Sequence, residues 1–511
     1  MYNPNPTDMK TIKRLFLLAS VFLVQFPAMS LPGNLQTHEI EQWGRLEVAV
    51  NNTRSYADPY KDVQLNVVCT MPGGKEIPFW GFYDGGQTWK FRYMPSVTGS
   101  WKYRAVFSDG TPGSEGEFYV VKSELPGILT TNKSNPIWFS GAEKQLMVRG
   151  FHIGDRFFAS NWPEEKRNAF LDWAGQNKYN FLTIASHFLN RREEGRGNGW
   201  ETPKLWPLDA EEYRKMERIL DDLAKRQIYV YPFAGFFGKN SNYPVDPADQ
   251  EQYIRYTLAR IGCYWNVVYN VAGPEPNLKK TWMASEDVQR LGRMIGDLDI
   301  YGHPVTVHNA TGDDPYMNSD WTDFGTLQGP KTLKREVLSA GLLKNHNPAK
   351  PLLAQETLWP GNVYHPKYTY DDLRKNAIVL QMSATALVYG DFDGISSTGF
   401  SGTMEMSDCV QSRHDIAIKV WDFFETLPYY NMQPRQDLVS AGYCLAWPGK
   451  IYLVYLENGG AVDVKLNGGQ YSVTWINARE TSGQQKGGQT SDGKGLKAPD
   501  GSDWLLRLTR M

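Results

Sequence analysis

The stretch AEEYRKMERILDDLAKRQIYVYPF, residues 210–233, joins a helix pattern to a strand pattern. Within Ala210–Arg226 the apolar residues recur at the spacing of an amphipathic helix. Ile228–Phe233 is a short run of apolar and aromatic residues, which is typical of a buried strand. The same alternation continues on both sides of this stretch, and it decides the fold class of the central part of the chain.

Eight strand-like runs alternate with helical patterns in this central part. The predicted strands are Leu146–Phe151, Phe181–Ser186, Ile228–Phe233, Val267–Ala272, Val305–His308, Phe324–Gln328, Leu352–Gln355 and Ala386–Tyr389. The predicted helices include Ala210–Arg226, Asp249–Cys263, Ala284–Leu298 and Tyr370–Ala384. We therefore predict a (β/α)8 TIM barrel over residues 130–432. A doubly wound sheet is the alternative, but no GxGxxG motif or P-loop follows any of these runs.

The segments on either side of the predicted barrel have the period-two pattern of antiparallel strands. In residues 37–122, runs such as Trp89–Tyr93 alternate between apolar and polar side chains, and glycine-rich turns separate them. We predict a β-sandwich here and a second β-sandwich in residues 436–511. In the second one, we expect the Gly-, Ser- and Gln-rich residues 481–494 to form a loop between strands.

Composition and charge limit the kinds of partner. The 511 residues include 54 Lys+Arg and 56 Asp+Glu, so the formal charge of −2 gives no electrostatic reason to bind nucleic acid. Aromatic residues are frequent, with 17 Trp, 28 Tyr and 23 Phe. They fill large cores, or some of them offer flat faces to the C–H bonds of sugar rings. The four cysteines, Cys69, Cys263, Cys409 and Cys444, do not have the spacing of zinc ligands.

The N-terminus predicts export. Three cations precede the apolar run Leu15–Val24, and Ala28 and Ser30 have the spacing of a signal-peptidase site. We predict a signal peptide over residues 1–30 and a periplasmic or extracellular mature chain, and a buried helix is the alternative. The apolar run is too short to span a bilayer comfortably, and no later stretch reaches the length of a membrane helix, so we predict no membrane span.

Two strand ends of the predicted barrel each carry a glutamate. Glu275 follows the run Val267–Ala272, and Glu356 follows the run Leu352–Gln355. The carboxyl ends of the strands form the catalytic face of a TIM barrel. Two carboxylates there fit the cleavage of a glycosidic bond, in which one donates a proton to the leaving oxygen and the other attacks or activates water. The alternatives are a loop acid paired with nearby lysines for Glu275 and an ion pair inside the barrel for Glu356.

Polar residues at the other strand ends are candidates for binding sugar hydroxyls. They are His152, Asp155, His187, Asn190, His308, Asn309, Gln328 and Asp391. Phe236 and Trp359 lie in predicted βα loops, where they would stack on sugar rings. For each of these residues the alternative is a satisfied polar or packing role in the core or in a loop. No HxH, HxxxH or HExxH motif is present, so we predict no metal site and no cofactor.

Parts of the chain resemble a known family. Trp80–Gly86 and Phe91–Trp101 look like the immunoglobulin-like domain that precedes the barrel in many polysaccharide-degrading proteins of Bacteroidetes. Leu208–Ile228, together with Gln355-Glu356, is similar to the barrel of the apiosidase-like glycoside hydrolases. This resemblance implies an immunoglobulin-like fold for the N-terminal sandwich and a hydrolase function for the barrel.

The C-terminal segment Val473–Arg479 is similar to a β-domain named for collagen binding in the same proteins, although Ala478 and Glu480 depart from its usual motif. The tract Gly273–Pro276 also departs from the pattern of apiosidases, in which an Asp follows two glycines. It is closer to the Asn-Glu-Pro of other barrel glycosidases, and this resemblance supports Glu275 as the acid. The family resemblance therefore implies the architecture better than the substrate.

The sequence as a whole predicts an exported glycoside hydrolase acting on a plant or algal polysaccharide, on an oligosaccharide or on polysaccharide side chains. Glu275 is the predicted general acid/base and Glu356 the predicted nucleophile of a retaining mechanism, provided that the carboxyl groups lie about 5–5.5 Å apart. A separation of about 6.5–9.5 Å would indicate an inverting mechanism. The alternative functions are a non-catalytic carbohydrate-binding or adhesion protein and a polysaccharide lyase.

Overall fold

The computed structural model describes residues 38–153, 155–184, 201, 203–232, 236–238, 243–276, 283–360, 362, 364–390 and 410–511. The predicted signal peptide, residues 1–30, lies outside the described residues. Among the residues that are described, no helix is long and apolar enough to cross a membrane. Along the chain, the structure has an N-terminal all-β unit, a central unit of parallel strands and helices, and a C-terminal all-β unit.

The N-terminal unit contains two sheets that share one apolar core. Its strands are β1 His38–Glu41, β2 Leu46–Asn51, β3 Leu65–Thr70, β4 Glu76–Trp80, β5 Phe82–Tyr83, β6 Thr88–Tyr93, β7 Gly99–Phe107 and β8 Pro112–Val121. One sheet has the order β1-β8-β7-β3-β4 and the other the order β2-β6-β5. β1 pairs with β8 in parallel, and the other pairs are antiparallel. Alternate residues of β3, including Leu65 and Val67, are buried with Trp89 and Phe91 of β6, as the period-two pattern predicts.

The central unit alternates strands with helices. After a short antiparallel pair, β9 Leu129–Thr131 and β10 Phe139–Gly141, the strands are β11 Arg149–Ile153, β12 Phe181–Ile184, β13 Tyr229–Pro232, β14 Tyr269–Asn270, β15 Val305–Thr306, β16 Gly325–Leu327, β17 Leu352–Leu358 and β18 Thr385–Gly390. The helices are α1 Glu164–Gln176, α2 Ala210–Lys225, α3 Pro247–Ile261, α4 Ser285–Leu298, α5 Arg335–Lys344, α6 Tyr370–Met382 and α7 Gln411–Glu425, with a short 3-10 helix at Asp155–Phe158. Each predicted strand run overlaps one of the strands β11–β18, and the four predicted helices correspond to α2, α3, α4 and α6.

Parallel pairing aligns the strands of the central unit. Six of them form a curled sheet of order β13-β12-β11-β18-β17-β16, and β14 pairs with β15. Two single parallel bridges, Val230 with Val267 and His308 with Thr326, connect the β14–β15 pair to β13 and to β16. Because a parallel strand can follow another only after a crossover, the chain returns to the amino end of the next strand each time, and it does so through a helix in every connection except that from β15 to β16. The carboxyl ends of these strands therefore lie at one edge.

The C-terminal unit is antiparallel. Its strands are β19 Gln433–Pro434, β20 Tyr443–Trp447, β21 Ile451–Leu456, β22 Ala461–Val462, β23 Tyr471–Asn477, β24 Ser482–Thr490, β25 Leu496–Lys497 and β26 Trp504–Arg510, and short 3-10 helices lie at Tyr429–Asn431 and Gln436–Leu438. The main sheet has the order β19-β20-β21-β26-β23-β24. The expectation of a loop at residues 481–494 is wrong, because β24 pairs with β23 over most of this segment. Backbone groups make these ladder hydrogen bonds, so a segment without apolar side chains can form an edge strand.

A buried network of ion pairs joins the N-terminal unit to two helices of the central unit. Glu217 of α2 lies between Arg92 of β6 and Arg260 of α3, with N–O distances of 2.9 and 2.6 Å. Arg260 also contacts Asp84 at 2.8 Å, and its side chain is fully buried. Burial by itself would raise the pKa of the Glu217 carboxyl, but the Arg92 and Arg260 guanidinium groups lower this pKa to about 2. The two units are therefore held together by charges that have lost contact with water.

We predict that Glu217→Gln lowers the free energy of unfolding by about 3–5 kcal/mol, because it removes the buried carboxylate that Arg92 and Arg260 share, although Glu47 and Asp84 remain beside them. The pKa of Glu217 falls from 4.5 to about 2 on folding, so its stabilising contribution is complete above about pH 4.5 and disappears as the pH falls toward 2. Urea unfolding at neutral pH and near pH 3 measures both effects. Glu76→Gln, at an exposed position of β4, is the control. An unchanged midpoint for Glu217→Gln at neutral pH would contradict the prediction.

Candidate active site

Polar side chains meet at the carboxyl ends of the parallel strands. His152 and Thr183 lie near the ends of β11 and β12, and Gln355 and Glu356 lie in β17. Gln355 Nε2 donates to Thr183 Oγ1 at 2.7 Å and lies 3.2 Å from His152 Nδ1. His152 Nδ1 is itself 2.9 Å from Thr183 Oγ1. Residues that are far apart along the chain thus form one buried polar group at this edge.

An irregularity in β17 gives two neighbouring residues a place in this group. In a regular strand, consecutive side chains point to opposite faces of the sheet. The register of β17 against β18 shifts between Ala354 and Leu358. Gln355 contacts the ends of β11 and β12, whereas Glu356 Oε1 lies 3.7 Å from His308 Nε2, after β15. Strand irregularities of this kind re-aim side chains and are frequent next to active sites.

Glu356 is buried beside a cation. Its side chain is 3% exposed, and its Oε2 lies 3.5 Å from Lys331 Nζ. Burial of an unpaired carboxylate costs much free energy, and a cation at this distance stabilises the ionised form. This contact agrees with the alternative role of Glu356 in the sequence analysis, which is an ion pair inside the barrel. It also places a carboxyl group in β17 beside a cation, an arrangement that suits a nucleophile or a base.

Glu275 is held by its backbone and by its side chain. Its φ of 53° lies in the left-handed region, where a non-glycine residue is strained by about 1–3 kcal/mol and where functional residues cluster. Its N–H donates to the carbonyl oxygen of His308 at 2.7 Å. The Gln328 amide nitrogen donates to Glu275 Oε1. The Thr311 N–H donates to Gln328 Oε1 at 2.9 Å and so fixes which end of the amide faces Glu275.

His308 contacts both glutamates. Its carbonyl oxygen accepts from Glu275, and its ring lies beside Glu356. Its own N–H donates to Asn270 Oδ1 at 2.8 Å, and the same oxygen accepts from the Tyr231 hydroxyl at 2.9 Å. All of these groups except Glu275 are buried, so the hydrogen bonds fix the position of His308. The structure therefore places the backbone of Glu275 and the carboxyl group of Glu356 next to one residue, His308.

Burial keeps the histidines of the site uncharged. Desolvation lowers the pKa of His152 to about 3. Desolvation also lowers the pKa of His308 to about 3, and the positive charge of Lys331 contributes to this shift. Near neutral pH, His308 therefore carries no positive charge beside Glu356. The imidazoles act as neutral hydrogen-bonding groups.

The other predicted polar ligands are placed only in part. Asn309 is buried, its Nδ2 donates to the Asp314 carbonyl oxygen at 2.7 Å, and within the described part of the chain its Oδ1 makes no hydrogen bond. Gln328 is half-buried and holds Glu275. The following lie outside the described residues: the Asp155 side chain, His187, Asn190 and Asp391, and the alternative partners of Glu275, Lys279 and Lys280.

Phe236 and Trp359 are not the exposed stacking platforms that the sequence predicts. Phe236 is fully buried, and its ring centroid lies 6.5 Å from that of Tyr269. Trp359 is 1% exposed, and its ring centroid lies 4.3 Å from that of His152. Both rings pack against the strands, where burial of a large apolar surface is favourable. Trp359 still borders the site through His152, whereas Phe236 belongs to the core.

Sequence reasoning missed Thr183, Lys331 and Gln355. Thr183 lies inside a predicted strand, where a single hydroxyl gives no functional signal. Gln355 immediately precedes Glu356, so regular alternation would direct it to the opposite face of the sheet. Lys331 follows Gln328 by three residues, and a cation so close to a predicted strand end was the available signal.

Metal-ligating side chains are not grouped in the described parts of the chain. No cluster of three or more His, Cys, Asp or Glu residues found there could hold a metal ion. Cys69, Cys263 and Cys444 are buried free thiols. Burial raises the pKa of each of these thiols, so they are poor nucleophiles and poor metal ligands. The chemistry available in the described site is that of carboxylates, amides, neutral imidazoles and one ammonium group.

Comparisons with known proteins agree on the fold. Residues 39–108 match a domain of unknown function, DUF5060. No curated protein matches the chain in sequence. The crystal structure of a candidate glycoside hydrolase from Bacteroides vulgatus is similar with a TM-score of 0.73 and 16% identity, over 93% of this chain and 100% of that chain. A family 5 glycoside hydrolase from the same organism has a TM-score of 0.59 and 14% identity, over 75% of this chain and 94% of its own. A further glycoside hydrolase has a TM-score of 0.59 and 12% identity, over 75% of this chain and 97% of that chain.

We predict that His152 and His308 stay neutral between about pH 5 and pH 8, because burial lowers the pKa of each to about 3. NMR of 15N-labelled histidine rings across this range measures their protonation. His152→Asn and His308→Asn variants identify the two signals, and an appended histidine tag with the ordinary pKa of about 6.5 is the internal control. A titration midpoint above pH 5 for either ring would show that the site is more open to water than the structure indicates.

Proposed function

We propose that this protein is a glycoside hydrolase that cleaves glycosidic bonds in a plant or algal polysaccharide or its side chains. The observation that carries the proposal is that Glu275, after β14, and Glu356, in β17, both contact His308, the first through its backbone N–H and the second through its carboxyl group. Two carboxylates near one point are what glycosidic cleavage requires. The fold that this chain shares with glycoside hydrolase structures supports the same conclusion.

The surroundings of the two carboxylates suit different roles. Glu356 lies beside the Lys331 ammonium group, which favours a negatively charged nucleophile or base. Glu275 lies beside the uncharged Gln328 amide, which can bond to one carboxyl oxygen while the other carries a proton. The two carboxyl groups thus have different neighbours, a cation for Glu356 and an uncharged amide for Glu275, and we assign their roles on this difference.

The proposed reaction proceeds in two steps. Glu356 attacks the anomeric carbon while Glu275 donates its proton to the glycosidic oxygen, which leaves with the departing sugar. Glu275 then removes a proton from water, and the resulting hydroxide displaces Glu356 from the anomeric carbon. A separation of the carboxyl groups of about 5–5.5 Å in the complex with substrate would give this retaining outcome, and about 6.5–9.5 Å would give inversion with Glu356 as the base.

We also propose that residues 130–432 form a closed (β/α)8 TIM barrel. Each of the strands β11–β18 has a parallel neighbour on both sides when the two single bridges are included, which supports a closed barrel over an open doubly wound sheet.

We likewise propose that residues 37–122 form an immunoglobulin-like β-sandwich and that residues 436–511 form a second β-sandwich. The separate apolar core clusters of these segments support it. On the sequence alone, we also propose that a signal peptide at residues 1–30 directs export and that the chain belongs to the apiosidase-like family.

We predict that Glu275→Gln and Glu356→Gln each lower turnover by about 10²–10⁴-fold, because each removes a group that transfers a proton or attacks in the transition state. The measurement is the release of reducing ends from the best substrate in a panel of plant and algal polysaccharides. Folding should be largely preserved, since the amide has the shape of the carboxyl group. Circular dichroism of each variant checks this point.

Glu286→Gln is the matched control for these variants, because it makes the same change at an exposed position of α4. It should leave turnover unchanged. A Glu275→Gln variant with unreduced turnover would end the assignment of Glu275, whatever Glu356 does. If the unchanged protein binds polysaccharides but releases no reducing ends, the non-catalytic alternative replaces the hydrolase. An unsaturated product that absorbs ultraviolet light would instead indicate a lyase.

We further predict that hydrolysis survives chelation. The proposed steps use carboxyl groups only, and the sequence has no ligand cluster with zinc or calcium spacing. Turnover is compared before and after dialysis against EDTA, and after calcium, magnesium or zinc is restored. A loss of activity that one of these metals reverses would overturn the metal-free mechanism.

A further inference from the structure

A groove lies between the N-terminal unit and helix α3. Its volume is about 430 Å³, within the range of about 300–1,000 Å³ that is typical of small-molecule sites. Residues 59–61, 63–65 and 80–83 and Trp89 form one wall. The other wall consists of residues of α3, namely Ala248, Asp249, Glu251, Gln252, Arg255 and Tyr256. None of the described residues that line it belongs to the candidate active site. The groove is therefore a separate feature.

Half-buried aromatic rings line the N-terminal wall of the groove. They are Tyr60, Trp80 and Tyr83. Tyr60 packs edge to face on Tyr83, with ring centroids 5.0 Å apart, and the Arg255 guanidinium group lies 4.1 Å from the centre of the Trp80 ring. These contacts hold the rings in fixed orientations. A fixed aromatic ring that is partly exposed offers its surface to the C–H bonds of a sugar.

Charged groups beside these rings balance one another. Lys61 Nζ lies 3.4 Å from Asp249 Oδ1 on the opposite wall, and the two side chains are 53% and 37% exposed. Glu251 and Arg255, both on α3, are the other charged residues among the described lining residues, so the lining contains two cations and two anions. An exposed ion pair of this kind contributes little to stability, but it offers a donor and an acceptor to hydroxyl groups. The balance of charge favours an uncharged ligand over an acidic one.

The groove also lies toward the catalytic edge of the central unit. The chain leaves β13 at its carboxyl end, and α3 then runs back toward the amino end of β14. The first turns of α3 therefore lie near the carboxyl ends of the strands. Residues 248–256, which line the groove, belong to these turns. The groove is therefore on the same side of the molecule as the strand ends, where we propose that a polysaccharide is cleaved.

We propose that this groove binds a short uncharged segment of a polysaccharide and so holds a long chain beside the bond-breaking site. Sugar rings stack on Trp80 and Tyr83, and their hydroxyl groups bond to Lys61 and Asp249. The choice of a sugar as ligand rests on the proposed function. The geometry of the groove does not depend on it.

Affinity electrophoresis through gels that contain a polysaccharide tests this proposal. The parent protein carries Glu356→Gln, so that the polymer is not cut, and the uncharged probes are xyloglucan, galactomannan and laminarin. Tyr83→Leu removes one stacking ring, and Ala248→Trp fills the groove from an exposed position of α3. Val245→Trp adds the same side chain at a position that is 91% exposed and outside the groove, and is the matched control.

We expect at least one uncharged probe to retard the parent protein. Tyr83→Leu and Ala248→Trp should weaken this retention about tenfold or more, as for the loss of a central aromatic contact, whereas Val245→Trp should not. Thermal melting shows whether each variant is folded. If Tyr83→Leu is unfolded, the retention of Ala248→Trp tests the proposal by itself.

Three outcomes would each overturn the proposal. They are equal retention of Ala248→Trp and the parent protein, stronger retention by polygalacturonate than by the uncharged probes, and no retention at all. Failure of the proposed function is distinct, because loss of retention in Ala248→Trp would support the groove even if the protein with Glu356 intact released no reducing ends.

Discussion

Parallel pairing of the central strands is the constraint on which the rest of the structure depends. Parallel strands cannot be joined by a tight turn, so the chain crosses back before each new strand begins, through a helix in every connection except that from β15 to β16. The strands therefore point in one direction, and the residues that end them meet at one edge. His152 and Gln355 are 203 positions apart in the sequence, yet their side-chain nitrogens lie 3.2 Å apart. The candidate active site is a consequence of this alignment rather than of any local motif.

At this edge of the sheet, small departures from regular backbone structure determine how the side chains of the site are placed. The register of β17 shifts where Gln355 contacts the ends of β11 and β12 and Glu356 contacts His308, although a regular strand would direct these neighbours to opposite faces. The left-handed backbone of Glu275 is held by its bond to the His308 carbonyl oxygen. Low solvent access keeps His308 uncharged, so the Lys331 ammonium group sets the charge beside Glu356. The two carboxyl groups therefore have different electrostatic surroundings although they share one neighbour.

The N-terminal unit is attached to the central unit by buried charges, not by apolar packing alone. Glu217 lies between Arg92 and Arg260, and Arg260 extends the network to Asp84. Such a network is stable only when every charge has a partner, so it fixes the relative position of β6, α2 and α3. The groove beside α3 exists because these elements are held at a set distance. The same interactions thus fix the position of one unit and shape a surface between two of them.

The sequence by itself determined the alternation of strands and helices and the β character of both flanking units, and it singled out Glu275 and Glu356 as candidate carboxylates. Period and composition carry this information because they report how each segment is buried. Only the tertiary structure decided that Phe236 and Trp359 are buried, that residues 482–490 form a strand, and that Thr183, Lys331 and Gln355 lie near the carboxylates. These facts depend on which segments become neighbours and on backbone hydrogen bonds that need no particular side chain. Local patterns describe a residue's own segment, whereas a site is defined by distances between segments.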